Sequence, residues 1–257
     1  MKRRAGLAVL ALMAFCFLVF SLTSWQAAYD IDLSQRLLPP SSEHVFGTDS
    51  LGRDLFARVM CGGLISLSAG ALVSLISSSL ALLLGLCCMT GRTADIVIMR
   101  LCDAFKAFPS TLLAILLLVV MGGGMKSIVI ALCVVNIPQS TRLVRSKARL
   151  LIQLDFVQAK RAMGASRLEI LAGTVVKHVI PSLAIQSAFV FSSAVMAEAA
   201  LSFIGAGLNP AVPSWGNILS EGRSVFYQGW WMIIFPAVFV FLTVLALNLI
   251  ADSSEEK

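Results

Sequence analysis

Charge is what this chain has least of. Only 13% of its 257 residues are Asp, Glu, Lys or Arg, against about a quarter in soluble globular domains. Histidine is scarcer still. His44 and His178 are the only two, and neither has a ligand partner at helical spacing. There is no HExxH and no GxSxG, so membrane hydrolases and intramembrane proteases lack their chemistry here. There is no GxxxxGK[ST], so the chain has no evident means of holding ATP itself. Six cysteines (Cys16, Cys61, Cys87, Cys88, Cys102, Cys133) form no CxxC pair and no Cys/His cluster. They read as small buried hydrophobes rather than as a disulfide or metal framework. A lone His44 and ten methionines do not add up to a metal site either.

What is present is apolar sequence, 58% of all residues, with a mean hydropathy of +0.89. A bilayer core of about 30 Å takes about 20 apolar residues per helix, which leaves room for roughly six spans and no second large domain. The expected fold is all-α: one polytopic membrane domain over residues 1–257, about six helices, both termini cytoplasmic. A first helix occupies residues 5–25; its apolar run is longer than the ~7–15 residues of a signal peptide. A polar, turn-rich external segment follows at about 27–60. The second helix is expected at 64–89 and the third at 102–121 with Pro109 inside it. The fourth starts near Ser127 and passes Pro138, the fifth covers 182–204 and the sixth 230–250.

The net charge of +6 invites a nucleic-acid reading, but its distribution argues for membrane topology instead. On this map Lys2, Arg3, Arg4, Arg92, Arg100, Arg142, Arg145, Lys147, Arg149, Lys160, Arg161, Arg167, Lys177 and Lys257 all fall on the cytoplasmic side. That is most of the 20 basic residues, as the positive-inside rule requires.

The one long stretch that cannot sit in lipid is QLDFVQAKRAMGASRLEILAGTVVKHVIP, residues 153–181, within a cytoplasmic loop at about 145–181. It reads as two short helices. Phe156, Ala159 and Met163 share a face, and Gly164 can end the first helix in a left-handed conformation. Ser166 with Glu169 three residues on has the form of a capping box. Such a polar insert in so apolar a chain is expected to dock a soluble partner. Of the charges at membrane depth, Glu198 is the clearest. It reads either as a pathway or gating residue or as an anchor bonded to hydroxyls such as Ser192, Ser193 or Ser202. Asp103 and Lys106 are spaced for a local pair.

Three stretches together resemble a known family. Gln158, Ala159, Lys160, Gly164 and Ile180-Pro181 are similar to the cytoplasmic "EAA" loop of ATP-binding cassette importer permeases. Gln158 and Lys160 depart from its usual residues, and about four more residues than usual separate Gly164 from Pro181. HVFGTDSLGRDLFARV (44–59) resembles the external GTDxxGRD segment of the peptide/nickel subfamily. AEAALSFIGAGLNPAVPSWGNILSEGR (197–223) resembles the fifth helix and external loop of its C-type permeases. The long Gly–Pro spacing and RLLPPSSEHVFGTD are most similar to the nickel permeases of this C type.

The resemblance implies a bacterial inner-membrane, multi-pass permease. It would be paired with a second homologous permease, two cytoplasmic ATPase subunits that use the ATP, and an external solute-binding protein. It would bind no cofactor, no metal and no nucleic acid, and perform no catalysis of its own. Phe156, Val157, Gln158, Ala159, Gly164 and Ala165 would couple to the ATPase. Gly47, Thr48, Asp49, Arg53, Trp215 and Gly216 would shape the external mouth, and Glu198, Ser193 and Asp103 a pathway or gate. Nickel, free or chelated, is the expected cargo, with di- or oligopeptides as the alternative. An ion-coupled secondary transporter is the rival from another class, though the intramembrane charges or internal repeat it needs are not seen.

Overall fold

The computed structural model describes residues 2–255, and among these the long elements are all helices. Lys257, expected on the cytoplasmic side, lies outside the described residues. In chain order the helices are α1 (Lys2–Ser24), α2 (Leu55–Cys87), α3 (Arg92–Lys106), α4 (Ser110–Met121), α5 (Met125–Ile152), α6 (Asp155–Ala162), α7 (Arg167–Glu169), α8 (Val176–Ile204), α9 (Trp215–Ser224) and α10 (Trp231–Glu255). Four stretches are long and apolar enough to cross a membrane unaided: α2, α5, α10 as far as Asp252, and Arg167–Ile204. The α3–α4 pair would make a fifth passage, and α1 holds a shorter apolar run, Gly6–Phe20.

Three expected boundaries move. The second helix begins at Leu55 rather than near 64, because Asp54 accepts the Ala57 N–H at 2.8 Å and starts the helix at the polar segment's last residue. At about 1.5 Å per residue, its 33 residues exceed the thickness of a bilayer core, so its first turns stand in the external segment.

The third helix is not continuous. It breaks between Lys106 and Ser110 with a 90° bend. Pro109 restricts Phe108 before it and itself offers no N–H. The amphipathic α3 therefore lies across the axis of the apolar α4.

The fifth helix starts earlier than expected. Instead of entering at Pro181, the chain runs from α7 through a π turn, Ile170–Val175, into α8, with Pro181 inside the helix. The widened turn is marked by the Val176 N–H donating to the Leu171 carbonyl, five residues back.

The centre of the bundle is α2, α5 and α8. Val73, Ile128, Leu132, Val190 and Ala194 form its buried core. Close approach is set by small residues: a Cβ at Gly85 would fall inside the Val144 side chain. At one end, Phe17 of α1 packs edge-on to Trp215 of α9 and against Phe239 of α10, with ring centroids 5.7 Å apart in each case. At the other end, Met89, Val144, Ala148, Val157, Ile170, Leu171 and Val175 form a separate apolar cluster that binds α6 and the π turn to α5. The external segment and α9 thus sit at one end of the bundle, and α6–α7 at the other.

Candidate functional site

The polar stretch folds as the short helix α6, a glycine turn and the capped start of α7. Asp155 in the first turn of α6 and Lys160 and Arg161 in its last turn suit the helix dipole. Gly164 then takes φ +93°, and Ser166 opens α7 with both halves of a capping box. The Glu169 N–H donates to Ser166 Oγ at 3.2 Å, and the Ser166 N–H to Glu169 Oε2 at 2.7 Å.

The coupling candidates separate on this frame. Val157 is only 2% exposed and belongs to the chain's own core, so it anchors α6 and cannot present its side chain to a partner. Gln158 donates to the Ile152 carbonyl at 2.7 Å and closes the end of α5. Phe156, Ala159 and Gly164 are exposed and Ala165 is half-buried. Met163, 79% exposed, and Leu168 continue an apolar surface that the expected coupling residues did not include.

At the opposite end, the six residues expected to line an external mouth are all buried. They hold the segment down instead. Asp49 accepts from Arg53 at 2.6 Å and from Arg58 at 2.5 Å. Both arginines also reach Glu221 of α9, at 2.9 Å and 2.6 Å. Two cations and two anions close a neutral cluster, of which Arg58 and Glu221 were not foreseen. Trp215 donates its indole N–H to the Val59 carbonyl at 3.0 Å, and Thr48 accepts through its carbonyl from Trp231 at 3.0 Å.

Glu198 is likewise bonded within the bundle. It is fully buried, and accepts from Ser66 of α2 at 2.8 Å and from Ser202 one turn along its own helix at 2.9 Å. Of the hydroxyls named from sequence, Ser202 is the one that bonds it; Ser193 donates to its own helix at Val190. Asp103 does not pair with Lys106. It accepts from Arg142 of α5 at 2.6 Å, while Lys106 reaches Gln139 at 3.3 Å. One turn further along, Arg145 and Arg149 both donate to Asp95. The basic face of α5 is thereby strapped to α3.

The open face of the bundle carries a groove of about 750 Å³ between α4, α5, α8 and α10. Ser193 lines it; Glu198 and Asp103 do not. Its polar lining was missed in sequence because it is scattered over four helices: Ser110, Thr111, Asn136, Gln139, Gln186, Ser192 and Asn248. Ser192 is only 4% exposed and borders the groove. The side chains of Ser110, Thr111, Gln186, Ser192 and Asn248 make no hydrogen bond among the described residues. Unpaired polar groups of this kind are costly against hydrocarbon. They are stable at membrane depth only against water or a polar occupant. The signal available in sequence was the amides within three otherwise apolar helices, Asn136 and Gln139 in α5, Gln186 in α8 and Asn248 in α10.

Comparison with known proteins settles the class. Residues 76–256 match the family described as binding-protein-dependent transport system inner membrane component. The chain belongs to that family.

A glutathione transport system permease protein of Pectobacterium atrosepticum is 40% identical to this permease over 256 residues, 96% of this chain and 83% of the relative. A di/tripeptide transport system permease protein of Pseudomonas aeruginosa is 36% identical over 257 residues, 96% of this chain and 84% of the relative. In solved structures, an amino acid ABC transporter crystallised with histidines is similar at a TM-score of 0.59 and 17% identity, over 79% of this chain and 95% of that one. The inward-facing MetNI methionine ABC transporter is similar at 0.55 and 19%, over 74% and 91%. At these identities the likeness concerns the fold alone. The permease is thus a multi-pass inner-membrane protein of the all-helical ABC importer fold.

Proposed function

We propose that this permease forms half of the translocation pathway of an ABC importer for short peptides or peptide-like compounds. The observation that carries the reading is the groove between α4, α5, α8 and α10, with its unpaired hydroxyls and carboxamides. Such groups exchange hydrogen bonds readily with a peptide backbone, which carries one donor and one acceptor per residue. A second permease completes the pathway across this open face, two cytoplasmic ATPase subunits supply the energy, and an external binding protein delivers the cargo. Both termini and the α6–α7 lever then lie on the cytoplasmic side, and the segment at 26–54 with α9 on the outer side. The exposed side chains of Phe156, Met163 and Leu168 form the apolar face that α6 and α7 offer to a groove on the ATPase.

Two points favour peptide over nickel as the cargo. The relatives are named for glutathione and di/tripeptide transport, and the polar part of the groove lining is neutral amides, hydroxyls and one lysine, with no histidine, cysteine or carboxylate. The deciding experiment is uptake in cells carrying the complete transporter or lacking this permease. Labelled dialanine and labelled glutathione should accumulate only when the permease is present, and should stop accumulating when the ATPase is inactivated. Uptake of labelled nickel that depends on the permease, with neither peptide taken up, would reverse the assignment. Uptake that survives ATPase inactivation would remove the ATP-driven mechanism.

A further inference from the structure

The groove has one end unlike the rest. Of its lining residues, Lys106 alone carries a charge. It sits at the end of α3, immediately before the 90° break, where its ammonium reaches Gln139 Oε1 at 3.3 Å. A neutral amide uses one of the three ammonium donors, and the exposed ammonium has no anionic partner among the described residues. The neighbouring acid does not supply the missing anion, because Asp103 is held by Arg142. On the far side of the break, α4 opens into the same groove with no side-chain cap, since Pro109 has none to offer. Its first N–H groups are therefore without intrahelical acceptors, and the Ser110 and Thr111 hydroxyls stand beside them, unbonded among the described residues. From Lys106 the lining passes to Gln139, Asn136 and Gln186, and then to the apolar Leu132, Leu201 and Ile204.

We infer that Lys106 is a carboxylate subsite, taking the free C-terminal carboxylate of a peptide lying in the groove, with Ser110, Thr111 and Gln139 completing it. This rests on the peptide reading above and names which end of the peptide is recognised. The chemistry is a charge-assisted hydrogen bond from an ammonium to a carboxylate, in a groove of a volume usual for small-ligand sites. The peptide's amide groups then face the carboxamides of Asn136 and Gln186. A peptide whose terminus is amidated keeps every other contact and loses this one.

The test uses the assembled complex of both permeases and both ATPases in lipid nanodiscs, without the binding protein, whose own specificity would mask the effect. Equilibrium dialysis against radiolabelled dialanine and dialaninamide should show the free acid held at least about tenfold more tightly than the amide, the scale of one charge-assisted bond. Lys106→Gln should bring the acid down to the amide's affinity while leaving the amide's unchanged, and Lys106→Arg should restore most of the preference. Retained assembly and basal ATPase activity in the Lys106→Gln complex exclude misfolding as the cause. The inference is overturned if wild type holds acid and amide alike or holds neither, or if Lys106→Gln keeps the preference. It is equally overturned if the preference exists only in nanodiscs of anionic lipid, since Lys106 then serves a headgroup. Failure of whole-cell dialanine uptake would instead sink the peptide reading itself. Uptake with an unchanged Lys106→Gln complex sinks only the subsite.

Discussion

At Gly164 the backbone, not the packing, dictates the residue. Its φ of +93° is open to glycine and strained for other side chains, yet a Cβ built there meets nothing within 4 Å. The two facts separate strain from bulk. Gly164→Asn, which tolerates left-handed backbone, should keep transport close to wild type. Gly164→Val, β-branched, should lose about 1–2 kcal/mol of the native turn and uncouple ATP hydrolysis from uptake while leaving membrane insertion intact. Measuring ATPase rate and dialanine uptake on the same preparations checks this, and equal coupling in both variants would refute the hinge. Gly164 and the Ser166–Glu169 box were legible in the sequence because each is a local rule about one turn. Glu198 was only half legible. Its need for hydroxyl partners followed from its depth, but Ser66 lies 132 residues away and nothing local points to it.

Among the elements, the long apolar helices α2, α5, α8 and α10 could be read by hydropathy alone, whereas residues 90–100 read as a basic turn and only the end of α3 reads as helix, merged with α4. The merged reading accepted Pro109 as a tolerated kink, but the charged face of α3 finds its partners only when α3 turns onto α5. Asp95 with Arg145 and Arg149, and Asp103 with Arg142, hold α3 against α5 on its side of the Pro109 break. The external segment shows the same limit from the other direction. Its GTD and GRD residues read as an external mouth, but Asp49 and Arg53 among them are buried in a clamp whose other half, Glu221, is on α9. Both arginines bond both acids, but Arg58 is fully buried and alone engages both oxygens of Glu221, so the clamp depends on it most. Arg58→Ala should destabilise the permease by about 3–5 kcal/mol, the usual cost of leaving a buried charge unpaired. Arg53→Ala should cost less, because Arg53 is the less buried of the two and Arg58 still bonds both carboxylates, leaving one net negative charge. Thermal unfolding of the detergent-solubilised complex ranks the two. A larger loss for Arg53→Ala would show that Arg58 is not the centre of the cluster.

For the molecule as a whole, what matters is that one face of an otherwise lipid-compatible bundle carries unpaired polar side chains, which the proposed pathway requires to be wet. The groove side of α8 should therefore contact water, and the outer side of α2 should not. Thiol chemistry distinguishes them, because the thiolate is the reactive form and does not persist in hydrocarbon. Cys61, Cys88, Cys102 and Cys133 are buried. Burial beside Asp95 pushes the Cys88 thiol up to about 11, so replacing the exposed Cys16 and Cys87 by alanine leaves an unreactive background. On that background, Ser193→Cys in the groove should react with a charged maleimide many times faster than Leu72→Cys, which projects from α2 outside the groove. Dialanine held in the groove should slow the first reaction and leave the second untouched. Equal rates at the two positions would mean that the groove is filled by lipid or by the partner permease. The unpaired amides of Gln186 and Asn248 would then be satisfied across that interface, and the pathway would have to run elsewhere.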